Sequence, residues 1–150
     1  MNEVGDRMWS FWNVLVGVHV SAYRATRGLI GHHVIGAPPM LLLDHVGAKT
    51  GTKRTTALAY LKHGDDLVVV ASKGGHPHHP AWYHNLRAHP DTMVQVGAER
   101  RAVTARMASS EERAELWPRV VDVYGGFAGY QRRTDREIPL VILERRIAAT

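Results

Sequence analysis

The sequence predicts an α+β fold in which about six mostly antiparallel strands curl into a small barrel, with helices before and between them. Three observations lead there. Six short apolar or alternating runs read as strands, at 40–46, 55–62, 67–72, 92–97, 101–108 and 138–145. Short turns such as HGDD and AER join most neighbouring runs as hairpins, which argues against parallel βαβ winding. Helical patterns occupy the intervening stretches, as in a barrel dressed with helices.

Each element has its local reason. Residues 6–27 predict a helix, because Ser10, Asn13, Gly17 and Ser21 draw a narrow small and polar stripe through apolar surroundings. It packs on its own domain or on a second copy of the chain, or else it lies on a membrane surface with Arg7, Arg24 and Arg27 beside it. As a membrane span the run is too short and too interrupted. Gly36, Pro38 and Pro39 then break the chain before the strand MLLLDHV. HPAWYHNLRAH (79–89) predicts a short helix with Pro80 in its first turn. A second helix starts at Ser109 or Ser110, where Ser109 and Glu112 have capping-box spacing. Pro118 is expected to kink or split it. The expected layout is one domain over 1–150, with helix and linker in 1–39 and the barrel in 40–145.

Composition narrows the chemistry. A chain of 150 residues without cysteine has neither disulfides nor thiolate nucleophiles, and suits a cytoplasmic setting. The net charge of +5 favours an anionic partner. No long basic stripe or nucleic-acid motif is present, so nucleic acid is not expected. Nor is there a G-x-S-x-G elbow or a G-x-G-x-x-G after a strand.

Three stretches carry candidate chemistry. In HVGAKTGTKRTT (45–56), Gly47 and Gly51 let backbone N–H groups converge while Lys49 and Arg54 supply charge; the alternative is a loop that merely solvates its cations. In VVVASKGGHPHHPAWYHNL (68–86) a strand opens at Ser72 into Lys73, Gly74 and Gly75. Trp82 and Asn85 share one face of the helix that follows, as core and ligand contact. His76, His78 and His79 lack the spacing and carboxylates of a metal site, and no metal is expected. In VYGGFAGYQRRTDREIP (123–139), Tyr124, Phe127 and Tyr130 recur every third residue. Gly125, Gly126 and Gly129 make this a poor helix, so it reads as core or as a mobile aromatic lid. Asp135 and Arg136 read as structural.

Together VGAKTGTKR, VASKGG, PAWYHNL, WPRVV and YQRRTDREIP resemble, in order and spacing from about residue 40 to 143, the deazaflavin-dependent nitroreductases of actinobacteria. The resemblance implies a split β-barrel that uses reduced coenzyme F420 as hydride donor to an electron-poor acceptor: a quinone, an enone or a nitroaromatic. It implies that Ala48, Lys49, Thr50, Gly51 and Arg54 hold the anionic tail of F420. Thr56, Ala57, Val70, Ala71, Ser72, Lys73, Ala81, Trp82, Asn85 and Phe127 would border the deazaflavin. Ser72, Tyr124 and Tyr130 would hydrogen-bond the acceptor as catalytic residues. Phe127 stands where the prodrug-activating member has tyrosine, which argues against nitroimidazole activation and leaves quinone reduction. If helix 6–27 touches membrane, menaquinone is the natural acceptor and the protein sits at the inner face of the cell membrane. If it pairs with a second copy, the protein is a homodimer. The alternatives are an FMN- or haem-binding split barrel and a non-catalytic anion- or lipid-binding module.

Overall fold

A computed structural model describes residues 38–146 of the chain. The helix expected over 6–27 lies outside the described residues, as do most of its linker and the contacts proposed for it.

The six expected strands form one closed antiparallel barrel. They are β1 (Met40–Val46), β2 (Lys53–His63), β3 (Asp66–Val70), β4 (Asp91–Val96), β5 (Glu99–Met107) and β6 (Leu140–Arg145), in spatial order β1-β2-β3-β6-β5-β4. Closure of β4 onto β1 rests on Leu42 opposite Gln95 and Leu43 opposite Val94. Among the described residues three α-helices accompany the strands: α1 (Ala81–Ala88), α2 (Ser110–Val123) and α3 (Gly126–Arg132).

Strand alternation sorts the apolar residues into two cores. Leu41, Leu43, Leu67, Val69, Val94, Val103, Val141 and Leu143 fill one cluster, joined by Trp82, Tyr83 and Leu86 of α1. Val68, Val70, Leu140 and Ile142, from the opposite face of their strands, meet Leu116, Val120 and Phe127 of the helices in the other. This is why VVV and VIL read as unbroken apolar runs: both faces are covered. Leu116 and Val120, one turn apart, make the α2 seam, and burial of each contributes about 1.5–3 kcal/mol.

The chain departs from the sequence expectation in three places. Lys53 and Arg54 open β2 and do not belong to the preceding loop, because their backbones pair with Val46 and His45. Ala71 and Ser72 have left β3 and enter a short 3-10 turn, Lys73–Gly75. Pro118 does not split α2, which runs unbroken through it. Ala114, whose carbonyl would have bonded the missing N–H, is exposed together with Pro118, on a face of the helix where water can take the place of that N–H.

The capping box of α2 is present: Ser109 Oγ accepts from Glu112 N at 3.2 Å, and Glu112 Oε1 accepts from Ser109 N at 3.0 Å. Arg106 donates to the same carboxylate at 2.7 and 2.8 Å and also to Glu144. The Arg106 bonds, followed by the cap, hold the Glu112 carboxyl at about 2. A depressed carboxyl contributes stability above its ordinary value that is lost as pH falls through the folded one. The melting-temperature gap between wild type and Glu112→Gln should therefore be full near neutrality and should close between about pH 4.5 and pH 2.

Candidate functional site

The site begins where β2 outruns β3. β2 pairs with β3 only from Tyr60, opposite Val69, to His63. Its first half, including Thr56 and Ala57, therefore runs past the end of β3, beside the chain leaving at Ala71 and Ser72. The basic loop adjoins this notch on one side, and the 71–76 turn with α3 adjoins it on the other.

The basic loop is closed by its own backbone. Gly47 N donates to Thr52 O at 2.9 Å, and Gly51 N donates to Gly47 O at 2.9 Å. Gly51 sits at φ 68°, where a side chain would be strained. Ala48 N donates to Asn85 Oδ1 at 2.9 Å, which ties the loop to α1. The glycine and Ala48 amides thus do not converge on a ligand; they shape the loop. Among the described residues the Lys49 and Thr50 N–H groups take no partner, and the Lys49 and Arg54 side chains are exposed. Two open amides beside two cations make a donor set for a phosphate or carboxylate.

Asn85 and His45 are buried beneath this loop. Asn85 Nδ2 lies 2.9 Å from His45 Nδ1, and His45 Nε2 lies 2.8 Å from Thr56 Oγ1. Burial, followed by the Arg54 charge, lowers the His45 pKa against the weaker pull of Asp44, so the ring is neutral at pH 7. His45 escaped the sequence reading because it looked like any polar residue of a strand. The available signal was its place two residues before the glycine loop.

On the other side, Arg136 binds the departing strand. Its guanidinium donates to Ala71 O at 3.1 Å, Ser72 O at 2.7 Å, His76 O at 2.8 Å and His79 Nδ1 at 3.0 Å. Lys73 is at φ 45° and Gly75 at φ 81°. A Cβ on Gly75 would sit 2.6 Å from Tyr130 O, so the turn after Ser72 presses against α3. Ser72 is buried, yet its hydroxyl takes no partner among the described residues.

Tyr124, Phe127 and Tyr130 form a triangle of edge-on rings, with centroids 5.1, 6.1 and 6.2 Å apart. Despite its glycines the segment is helical, and Gly126 leaves room for the Tyr124 ring: a Cβ there would lie 2.5 Å from Tyr124 Cζ unless the ring moved. Phe127 is buried in the outer core, lining an apolar pocket with Val70, Val120 and Tyr60; it supports the two tyrosines from below. Tyr124 Oη and Tyr130 Oη are 3.2 Å apart, and this bond, with burial, raises the Tyr130 pKa. Tyr130 therefore remains a protonated donor at neutral pH.

Of the other residues named from the sequence, Val70, Ala71 and Trp82 are buried in the two cores, so their side chains do not line an open surface. Ala71 has both backbone groups engaged, its N–H with Pro139 O. Ala57 is half-buried on β2, and Ala81 is exposed at the start of α1.

The family model for F420H(2)-dependent quinone reductase matches residues 15–145. An F420H(2)-dependent quinone reductase of Mycobacterium tuberculosis is 47% identical over 135 residues, covering 88% of this chain and 91% of that protein. The chain belongs to the F420H(2)-dependent quinone reductase family. It is an F420-dependent reductase, and its cofactor is reduced coenzyme F420. Among solved structures, an F420-H2 dependent reductase, FDR-A, is 42% identical with a TM-score of 0.66, covering 71% of this chain and 94% of its own. Another, described as a domain-swapped dimer, is 35% identical with a TM-score of 0.68, covering 90% and 98%. The haem storage protein HutZ of Vibrio cholerae shares the fold alone, at 14% identity and a TM-score of 0.57, covering 73% and 82%.

The residues present suit F420. The cofactor's anionic tail matches the open Lys49 and Thr50 amides flanked by Lys49 and Arg54. Among the described residues no cluster could hold a metal, and no helix is long and apolar enough to cross a membrane.

Proposed function

We propose that this reductase passes hydride from F420 to a quinone at the notch between the basic loop and the tyrosine pair. The observation that carries the reading is an open polar arrangement on each side of one strand end: cations with unengaged amides at 49–54, and hydroxyls at Ser72, Tyr124 and Tyr130. Reduced F420, when bound, supplies the hydride. Lys49, Thr50 and Arg54 grip its tail, while Gly51 keeps the loop's shape and Ala48 ties it to Asn85. Thr56 and Ala57 on β2, with Ser72 and Lys73 opposite, border its ring. Ser72 and the two tyrosines orient the quinone and donate hydrogen bonds to the oxygen that gains negative charge as hydride arrives. The Tyr124 and Tyr130 hydroxyls lie 3.2 Å apart and either can donate in that bond, so the proton comes from one of the pair or from water.

The acceptor is a menaquinone-type lipid quinone if residues 6–27 rest on a membrane, which places the protein at the inner face of the cell membrane. A homodimer is the alternative use of that segment, supported by the domain-swapped relative.

Mixing the full chain with reduced F420 and menadione tests the reading through the return of F420 absorbance. Protein-dependent oxidation that falls at least tenfold in Tyr130→Phe supports it. Turnover only with FMN and a nicotinamide would assign the fold's flavin chemistry instead. Flotation with anionic vesicles, repeated on a chain lacking 1–27, separates the membrane role from the dimer.

A further inference from the structure

The described residues fix the direction of every hydrogen bond beneath the basic loop. Ala48 N–H can only donate, so the Asn85 atom facing it at 2.9 Å is the oxygen. The Asn85 NH₂ therefore faces His45 Nδ1 at 2.9 Å, and that nitrogen must accept. A neutral imidazole that accepts at Nδ1 carries its proton on Nε2. Nε2–H then donates to Thr56 Oγ1 at 2.8 Å. A hydroxyl that has accepted this bond keeps its own hydrogen to give elsewhere, and among the described residues nothing takes it.

We propose that His45 is the positioning residue of the cofactor site: through Asn85 it sets the basic loop, and through Nε2–H it makes Thr56 a hydrogen-bond donor toward an acceptor atom of the bound cofactor. This rests on the reading of the notch as the F420 site. It assigns work to a buried histidine that touches neither tail nor quinone. The ligand group facing Thr56 is an acceptor, a carbonyl or phosphate oxygen, and an N–H presented there would be rejected.

The arrangement also has an acid limit. A proton on Nδ1 would set two donors face to face, forcing the Asn85 amide to turn and to present NH₂ to Ala48 N–H. Both ends of the relay fail together. The charged groups bearing on the ring are Arg54 of β2, which opposes protonation, and Asp44 of its own strand, which favours it; α1 presents the uncharged Asn85. Burial and Arg54 prevail, so the folded ring titrates below its ordinary 6.5, and the relay is intact above that and lost as pH falls.

Two measurements on the full chain decide the matter. In ¹⁵N-labelled protein without ligand, the His45 ring should show a bare Nδ1 and a protonated Nε2 at pH 7.5; the opposite tautomer or a charged ring overturns the proposal. F420 affinity, followed by fluorescence titration, should fall about tenfold in Thr56→Val and stay within about threefold in Thr56→Ser, as expected for one lost donor. Binding should also weaken as pH falls below 6.5 in wild type and much less in His45→Asn, whose Oδ1 replaces the Nδ1 acceptor but cannot be protonated. An unchanged pH dependence in that variant, or equal loss in Thr56→Ser and Thr56→Val, overturns it. Failure of the wild-type chain to bind F420 would overturn the cofactor reading and with it the Thr56 contact; the ring tautomer still decides the relay.

Discussion

Replacing Arg136 with alanine will lower the melting temperature by about 5–10 °C, the largest stability loss expected from any residue outside the cores. The guanidinium holds Ala71 O, Ser72 O and His76 O together with His79 Nδ1, so one truncation strips four acceptors at once. Hydrogen bonds to charged groups contribute about 1.5–3 kcal/mol each when isolated, but the freed carbonyls here recover some water, so a total near 2–3 kcal/mol is expected. In a domain of this size each kcal/mol moves the melting temperature by about 2–4 °C. Lysine will not rescue the loss, because a single ammonium cannot span acceptors on both sides of the turn. Quinone turnover should fall with stability, since the same bonds set Ser72 and press Gly75 against Tyr130. A melting temperature within about 2 °C of wild type would mean that the Gly75 packing alone holds the turn.

The Lys49→Ala and Arg54→Ala variants should behave oppositely: stable, and poor at binding F420. Both side chains are exposed, and the strand pairing of Arg54 uses its backbone, so melting should shift by no more than about 1 °C. Charge-assisted bonds to an anionic tail are worth about 1.5–3 kcal/mol, so each single variant should weaken F420 binding about tenfold and the pair about a hundredfold. The affinity should also become less sensitive to salt as each cation is removed. Arg54→Ala carries a second mark: it removes a charge that disfavours protonation of His45, so the acid limb of F420 binding should move to higher pH. Fluorescence titrations at two salt concentrations check both points. Unchanged affinity in the double variant would remove the loop from the site.

The hairpin order of this chain was legible because the reasons for it are local. The unbroken apolar run of DLVVV, the alternation in ERRAVTARM, glycine at the turns and the Ser109–Glu112 cap all act within a few residues. The basic loop could be recognised for the same reason. Its internal wiring could not: glycines suggested amides turned outward to an anion, yet two of those amides close the loop and a third answers Asn85. Phe127 and Tyr124 look alike at three-residue spacing, but packing buries the first under α2 and leaves the second at the surface. Pro118 seemed to demand a break, and exposure of Ala114 removed the demand.

By itself, then, the sequence determined the strands, their hairpin partners, the capped helix, the basic loop and, through motif order, an F420-dependent reductase; that the family is the quinone reductases and not the nitroreductases came from the comparisons. The tertiary structure alone decided which polar groups face one another. Ala48 meets Asn85 across 37 positions, Asn85 meets His45 across 40, and Arg136 meets Ala71 across 65. Such pairs leave no periodic trace in one chain, because barrel closure and the docking of α1 and α3 bring them together. Once buried, they must satisfy each other's donors and acceptors, and that requirement sets the hydrogen bonds of the site.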